Sequence, residues 1–296
     1  MLKELKHFLL HLRLHYQFFI LSGGYLLGGL LADTMNTTQF WMQFLNVHVL
    51  LFGGATAYNS YWDKDEGPIG GLKHPPKMTS WMRPAALMMM AAGWAWSVKI
   101  GWNYFMVYGA SLLLFWLYST PHARWKGDPL LSLVAIGVST GTNSVLLGFW
   151  AAGGVFLLPI LLGLTGAAFI LLSLYPVSQI YQYEEDHKRG DITFFSKYGL
   201  KSVKKFFMFS FTGGLILVSA GLHNFYPYPA LFLFILGLCS FIILIGYVSK
   251  LEGLEEEYKN VMKIKLFASL SFVFFLLISN SIRYEWIGST FITTYF

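Results

Sequence analysis

Apolar residues along the chain fall into blocks long enough to cross a hydrocarbon core, which takes roughly 20 residues of helix. Nine such blocks run from Gln17 to Leu31, Phe40 to Tyr58, Met82 to Lys99, Trp102 to Tyr118, Leu130 to Ala151, Val155 to Val177, Phe206 to Leu222, Pro229 to Val248 and Leu266 to Ile282. None alternates apolar with polar residues, as barrel strands do, so each predicts a helix that satisfies its backbone hydrogen bonds internally. Several are joined by very short turns, which makes successive helices antiparallel neighbours. The expected architecture is all-α, a single domain over residues 1–296 with a central cavity.

Charge orders these helices across the membrane. If every block crosses, all Lys and Arg except Lys99 and Arg283, out of 21, fall on one side. Cationic loops stay in the cytoplasm, so the amino terminus is expected inside and the carboxyl terminus outside. Of the 15 acidic residues, all but Asp33 and Glu285 share that cytoplasmic side.

Composition agrees: 55% of the residues are hydrophobic, 18% aromatic and 12% charged, with a mean hydropathy of +0.54. Ordinary soluble domains carry about twice that charged share, so disorder is excluded and a water-soluble fold is disfavoured. The net charge of +6 lies in loops between spans, which argues against nucleic acid as the partner. Cys239 is the single cysteine, so neither an internal disulfide nor a cysteine-based metal site is available. The segment before Gln17 lacks a small-residue cleavage site and reads as an amphipathic lead-in to a multi-pass protein, expected in the cell (inner) membrane. No Walker loop, dinucleotide fingerprint, zinc motif or serine elbow appears.

Two polar helix ends carry the candidate chemistry. After the second block, Asn59 and Asp63 stand four apart, one turn along a helix face. Asp65 and Glu66 follow, then the breaker Gly67-Pro68, then Lys73 on a loop able to fold back. After the sixth block, Gln182 and Asp186 repeat the spacing with Glu185 beside them, and Lys188, Arg189 and Gly190 follow. Two analogous ends suggest related halves facing one cavity. Carboxylates beside cations suit a diphosphate carried by Mg²⁺, because hard oxygen donors bind the metal while Lys and Arg neutralise the remaining charge. Asn143, an amide in mid-span that needs a partner, is a further candidate for orienting the second substrate. Tyr175, Tyr181 and Tyr183 read mostly as interfacial belt residues, and Asp191 as solvated or locally paired.

Asn59-x-x-x-Asp63 with its acidic loop, Tyr118-Ser-Thr-Pro-His-Ala-Arg-Trp-Lys126, and Glu184-Glu-Asp186-x-x-x-Gly190-x-x-Thr193 together resemble the UbiA superfamily of intramembrane prenyltransferases. The resemblance covers nearly the whole chain. It implies Mg²⁺-dependent transfer of an isoprenoid chain from a prenyl diphosphate to a hydrophobic acceptor. Asn59, Asp63, Glu185 and Asp186 would hold Mg²⁺, Arg124 and Lys126 would draw charge off the diphosphate, and Tyr118 would face the allylic cation. Lys73, Gln182 and Lys188 would assist in binding. Two positions depart from the family pattern: Gly67 and Gln182 stand where it usually has Asp. A UbiA-type terpene cyclase and a non-catalytic lipid-binding or transport protein are the alternatives.

Overall fold

The computed structural model describes residues 2–286, and among these it is almost entirely helical. A short amphipathic helix α1 (Leu2–His11) leads into α2 (14–31) and α3 (37–63). Then come α4 (Met82–Ser97), α5 (Trp102–Ser119), α6 (Pro129–Ala152) and α7 (Ile160–Lys188). The last three are α8 (Phe194–His223), α9 (Pro227–Ser249) and α10 (Glu255–Arg283). Five of them, α6 to α10, are long and apolar enough to cross a membrane, and the chain is an integral membrane protein.

Local chemistry sets the helix ends. Asn36 accepts the Gln39 N–H, and Asp128 accepts from Leu130 and Leu131 with Pro129 in the first turn. Thr193 and Ser196 form a reciprocal capping box that starts α8 well before the apolar block at Phe206. The helix therefore carries Lys197, Lys201, Lys204 and Lys205 on its first turns, beyond what hydrophobicity alone marks. At Gly199 the backbone leaves helical geometry, with φ of 72°, and α8 kinks. The apolar block expected from Val155 begins its helix only at Ile160, because Gly153, at φ of 101°, ends α6 and Pro159 precedes the next turn.

Packing relies on close approach of small residues, the usual route to helix association in lipid. α2 meets α6 where Gly28 faces Val145 and Gly148 faces Tyr25: a Cβ on either glycine would fall on the opposing carbonyl oxygen. Gly148→Ala is therefore expected to push these helices apart at a cost of about 1–3 kcal/mol or more. The check is a lower melting temperature in detergent, with Gly246→Ala, where a Cβ meets nothing, unchanged.

Three helices pass through π-helical stretches, Gln17–Leu21 in α2, Asn46–Gly53 in α3 and Gly137–Thr142 in α6. Such bulges concentrate at functional sites because they re-aim side chains. Here they carry Ile20, Leu21, Phe52 and Thr140, all of which line the same internal cavity.

Candidate functional site

The last turn of α3 sets the first pole of the site. Asn59 Nδ2 donates to Asp63 Oδ2 at 2.7 Å, and Ser119 Oγ, at the end of α5, donates to Asn59 Oδ1 at 3.0 Å. The amide is thus fixed from both sides. Lys126, in a 3₁₀ turn after α5, donates to the other Asp63 oxygen, and both side chains are nearly buried, at 7% and 5% exposure. Lys64 then ends α3 in the left-handed region (φ 53°), which turns Asp65 inward.

The second pole forms where α7 tightens into the 3₁₀ turn Ile180–Gln182 and resumes as Tyr183–Lys188. Arg189 is its hub. Its guanidinium pairs with Asp65 of the first pole, with Asp186 at 2.6 Å, with Glu185 at 3.7 Å and with Asp191 at 3.4 Å. A backbone contact closes the same gap: the Gly67 N–H donates to Glu185 Oε1 at 3.2 Å. Arg124 grips Asp191 with two bonds of 2.6 and 2.8 Å. Three loops are in this way tied into one acidic and basic cluster.

Charge within it is strongly perturbed. Burial, with Asp63 next, raises the pKa of Asp65 from its ordinary value, against the opposing pull of Arg189 and Lys126. Burial disfavours the Arg189 cation, but Asp65, Asp63 and Asp186 outweigh it and hold its pKa above the ordinary value. Asp65 therefore binds its proton more tightly folded than unfolded. Its contribution to stability is full below the unfolded value near pH 4 and is lost as pH rises through the raised folded pKa. In EDTA, the melting temperature of the native protein is expected to fall over that interval, and Asp65→Asn to flatten the fall.

Beside the cluster lies a cavity of about 200 Å³. Asn59, Asp65, Gln182 and Ser119 supply its polar wall, and Phe52, Phe115, Leu171 and Ile136 its apolar wall. Tyr118 and Tyr175 join their hydroxyls at 3.0 Å on that surface. A smaller apolar recess, about 50 Å³, shares Ile20, Leu21, Thr140 and Leu171 with the cavity and continues to Gly24, Ile170 and Phe272 between α2, α6, α7 and α10. The shape suits an elongated apolar chain with an anionic head.

The sequence-predicted residues Asn59, Asp63, Glu185, Asp186, Lys126, Tyr118 and Gln182 gather at this cluster or on the cavity wall. Others do not. Asn143 is buried between helices, donating to Ser111 Oγ at 3.0 Å, and does not line the cavity, because its side chain faces α5. Lys73, on the loop after α3, and Lys188, at the end of α7, are exposed. Arg124 is spent on Asp191, which is buried and doubly paired. Tyr175 belongs to the cavity, and Tyr181 is buried beside it. Asp65, Arg189, Arg13 and Lys265 carry more of the site than the sequence suggested. Of these, Arg189 was legible, since it follows Glu185 and Asp186 at helical spacing.

Among the described residues no three His, Cys, Asp or Glu side chains form a ready metal cage. The carboxylates instead hold Lys126 and Arg189. Even so, the donors fit a hard divalent cation that arrives on a phosphate. Mg²⁺ typically takes one or two protein carboxylates and fills its octahedron with phosphate oxygens and water, and carboxylates are present at both poles.

The sequence matches the model of the UbiA prenyltransferase family over residues 18–265. Among solved structures, the chain is similar to a UbiA homologue from Archaeoglobus fulgidus bound to GPP and Mg²⁺, with a TM-score of 0.71 and 16% identity over 93% of this chain and 99% of that one. The same homologue bound to DMAPP and Mg²⁺ gives the same TM-score, identity and coverage. A structure of digeranylgeranylglyceryl phosphate synthase is similar at a TM-score of 0.62 and 19% identity, over 94% of this chain and 99% of that one. At these identities the likeness is one of fold. No curated protein matches the sequence.

Proposed function

This chain belongs to the UbiA prenyltransferase family, and on that premise we propose that it transfers a prenyl group from its diphosphate to a lipophilic acceptor within the membrane, with Mg²⁺ as cofactor. The observation that carries this reading is the convergence of Asp63, Asp65, Glu185 and Asp186, from two separate segments, beside a cavity whose far wall is apolar. The relatives bound to GPP or DMAPP with Mg²⁺ support the substrate class. Nine membrane crossings, with the amino terminus and the site on the cytoplasmic side of the cell (inner) membrane and one domain throughout, complete the proposal.

Asp63 and Asp186, helped by Asn59 and Glu185, would hold Mg²⁺ against the diphosphate. When bound, the metal supplies Lewis-acid stabilisation of charge on the departing oxygens. The chain's own work is to surround that charge. Lys126 and Arg189, released from their carboxylates as the head enters, donate to diphosphate oxygens. Their partners hold them at the two poles, so each has only to change acceptor as the head enters. Tyr118, held by Tyr175, presents oxygen and ring electrons to the developing allylic cation. Phe52, Phe115 and Leu171 keep water from capturing it before the acceptor does. Asp65 takes over the acidic role that the family pattern gives to the position of Gly67, whose N–H instead steadies Glu185.

The decisive assay uses purified full-length protein in detergent with Mg²⁺ and labelled prenyl diphosphates of graded chain length. Diphosphate release that depends on an added acceptor supports the transferase. Release without acceptor, with a cyclic product, would replace it by a cyclase. Saturable binding with no release would make the protein a carrier.

A further inference from the structure

A second chamber, of about 560 Å³, shares Asp65 and Ile69 with the cavity beside Tyr118 and none of its other lining residues. The end of α1, the last turn of α3 and the segment after it form its wall, through His11, Ser60, Tyr61, Lys64, Glu66 and Lys77 among others. That segment folds back across the junction of α1 and α2 and is tied there through backbone carbonyls. His11 Nε2 donates to Pro76 and His15 Nε2 to Gly71, both at 2.7 Å. Next to the second tie, Ile69 and Leu72 exchange two backbone bonds of 2.9 and 2.8 Å, and Ile69, 1% exposed, lines both spaces. It is the apolar partition between them.

Charge marks the second chamber. Lys64 and Lys77 on its wall are exposed, so it reaches water, and neither lies within ion-pair distance of a carboxylate among the described residues. Two carboxylates share the wall: Asp65 is already held by Arg189, and Glu66 is exposed. His11 is 2% exposed, and its Nδ1 is buried without a partner. Burial is the largest influence on its pKa and lowers it, the bond to Pro76 opposing. At neutral pH the ring therefore spends its one proton on that carbonyl and leaves Nδ1 as an acceptor. A buried acceptor of this kind calls for a donor. A ligand that pairs with two lysines and also donates to His11 is an anion that keeps an acidic O–H. Inorganic diphosphate has one at neutral pH; the phosphodiester of a membrane phospholipid has none.

We propose that this chamber is the release site for the leaving group. Inorganic diphosphate, freed when the C–O bond to the prenyl chain breaks and keeping that bond's electron pair, passes Ile69 and pairs with Lys64 and Lys77 beside His11 on its way to water. The inference rests on the prenyl-transfer reading above and extends it to product exit. A prenyl diphosphate is anchored by its chain between apolar walls; the product has lost that chain, and cations outside the cavity can draw it off. Lys64 directly follows Asp63 in sequence, and its left-handed backbone (φ 53°) ends α3 there, so an exit cation stands one residue from a carboxylate proposed to hold the metal.

The test is calorimetric titration with inorganic diphosphate of full-length protein in phosphatidylcholine nanodiscs, already saturated with Mg²⁺ and geranyl thiolodiphosphate. Inorganic diphosphate is expected to bind while the thiolodiphosphate stays in place. The double variant Lys64→Asn with Lys77→Gln, in which asparagine suits the left-handed position, should weaken that binding by about tenfold and the thiolodiphosphate by less than about threefold. Lys64→Arg with Lys77→Arg should keep both. In turnover, inhibition of the native protein by added diphosphate should include a part that saturating prenyl diphosphate does not relieve, and the uncharged variant should lose that part. No binding to the loaded protein, unchanged affinity in the uncharged variant, or purely competitive inhibition overturns the release site. Binding abolished when phosphatidylglycerol is included in the nanodiscs would give the chamber to a lipid headgroup and overturn it as well. Failure of native protein to bind the thiolodiphosphate with Mg²⁺ would instead defeat the underlying functional reading.

Discussion

Asp63→Asn and Asp186→Asn are each expected to reduce the proposed prenyl transfer by roughly a thousandfold while the protein remains folded. The expectation comes from how each carboxylate is placed. Asp63 offers one oxygen to Asn59 at 2.7 Å and the other to Lys126, and Asp186 is held at 2.6 Å by Arg189. Replacing carboxylate by amide keeps the shape and part of the hydrogen bonding, so packing is preserved. What disappears is one unit of negative charge at a pole proposed to hold a divalent cation on the substrate. Removing a single preorganised electrostatic group typically costs a factor of about 10²–10³, and the loss of a metal-holding charge belongs at the upper end. The measurement is acceptor-dependent diphosphate release under saturating Mg²⁺, beside a melting curve for each variant. Wild-type rates in both would remove the acidic cluster from the chemistry.

Much of this site was legible because helical spacing is a short-range rule. Asn59 and Asp63 stand one turn apart, and their side chains meet; α3 ends at Lys64, short of the expected breaker Gly67-Pro68, and the loop returns to Glu185. Apolar blocks marked the cores of the helices but underestimated α3, α8 and α10, whose ends are polar and cytoplasm-facing in the proposed topology. There, capping by Thr193 and Ser196 decides the boundary rather than hydrophobicity. What could not be read is what depends on closure. Arg13 and Lys265 lie some two hundred and fifty residues apart in sequence, and Arg13 reaches the cavity only through a left-handed residue at a helix junction. Arg124 looked equivalent to Lys126, yet its own positive φ of 41° turns it to Asp191 and leaves Lys126 alone with Asp63. Asn143 seemed available because a mid-span amide must bond something, and Ser111 on the neighbouring helix turned out to be that partner.

The second large effect is expected from Arg189→Gln, which should lower the stability of the metal-free protein by about 3–5 kcal/mol, the usual penalty for stranding buried charge. Arg189 touches Asp65, Glu185, Asp186 and Asp191, and the side chains of Asp65 and Asp191 are only 3% and 2% exposed. Without the guanidinium, Asp65, Glu185 and Asp186 face one another across a gap spanned by the Gly67–Glu185 hydrogen bond, while Asp191 keeps Arg124. In the proposed function a metal-loaded diphosphate would meet from the substrate side the carboxylates that Arg189 holds from the protein side. The variant should accordingly recover more stability than the native protein when Mg²⁺ and a thiolodiphosphate are added together, since the ligand then replaces what was removed. Turnover should still be impaired, because the cation that would follow the leaving oxygens is missing. Melting curves in EDTA and with both ligands check this directly. Equal melting temperatures for variant and native protein in EDTA would mean that the four contacts are solvated and carry no load, and the cluster would lose its place as the hinge between the two halves of the site.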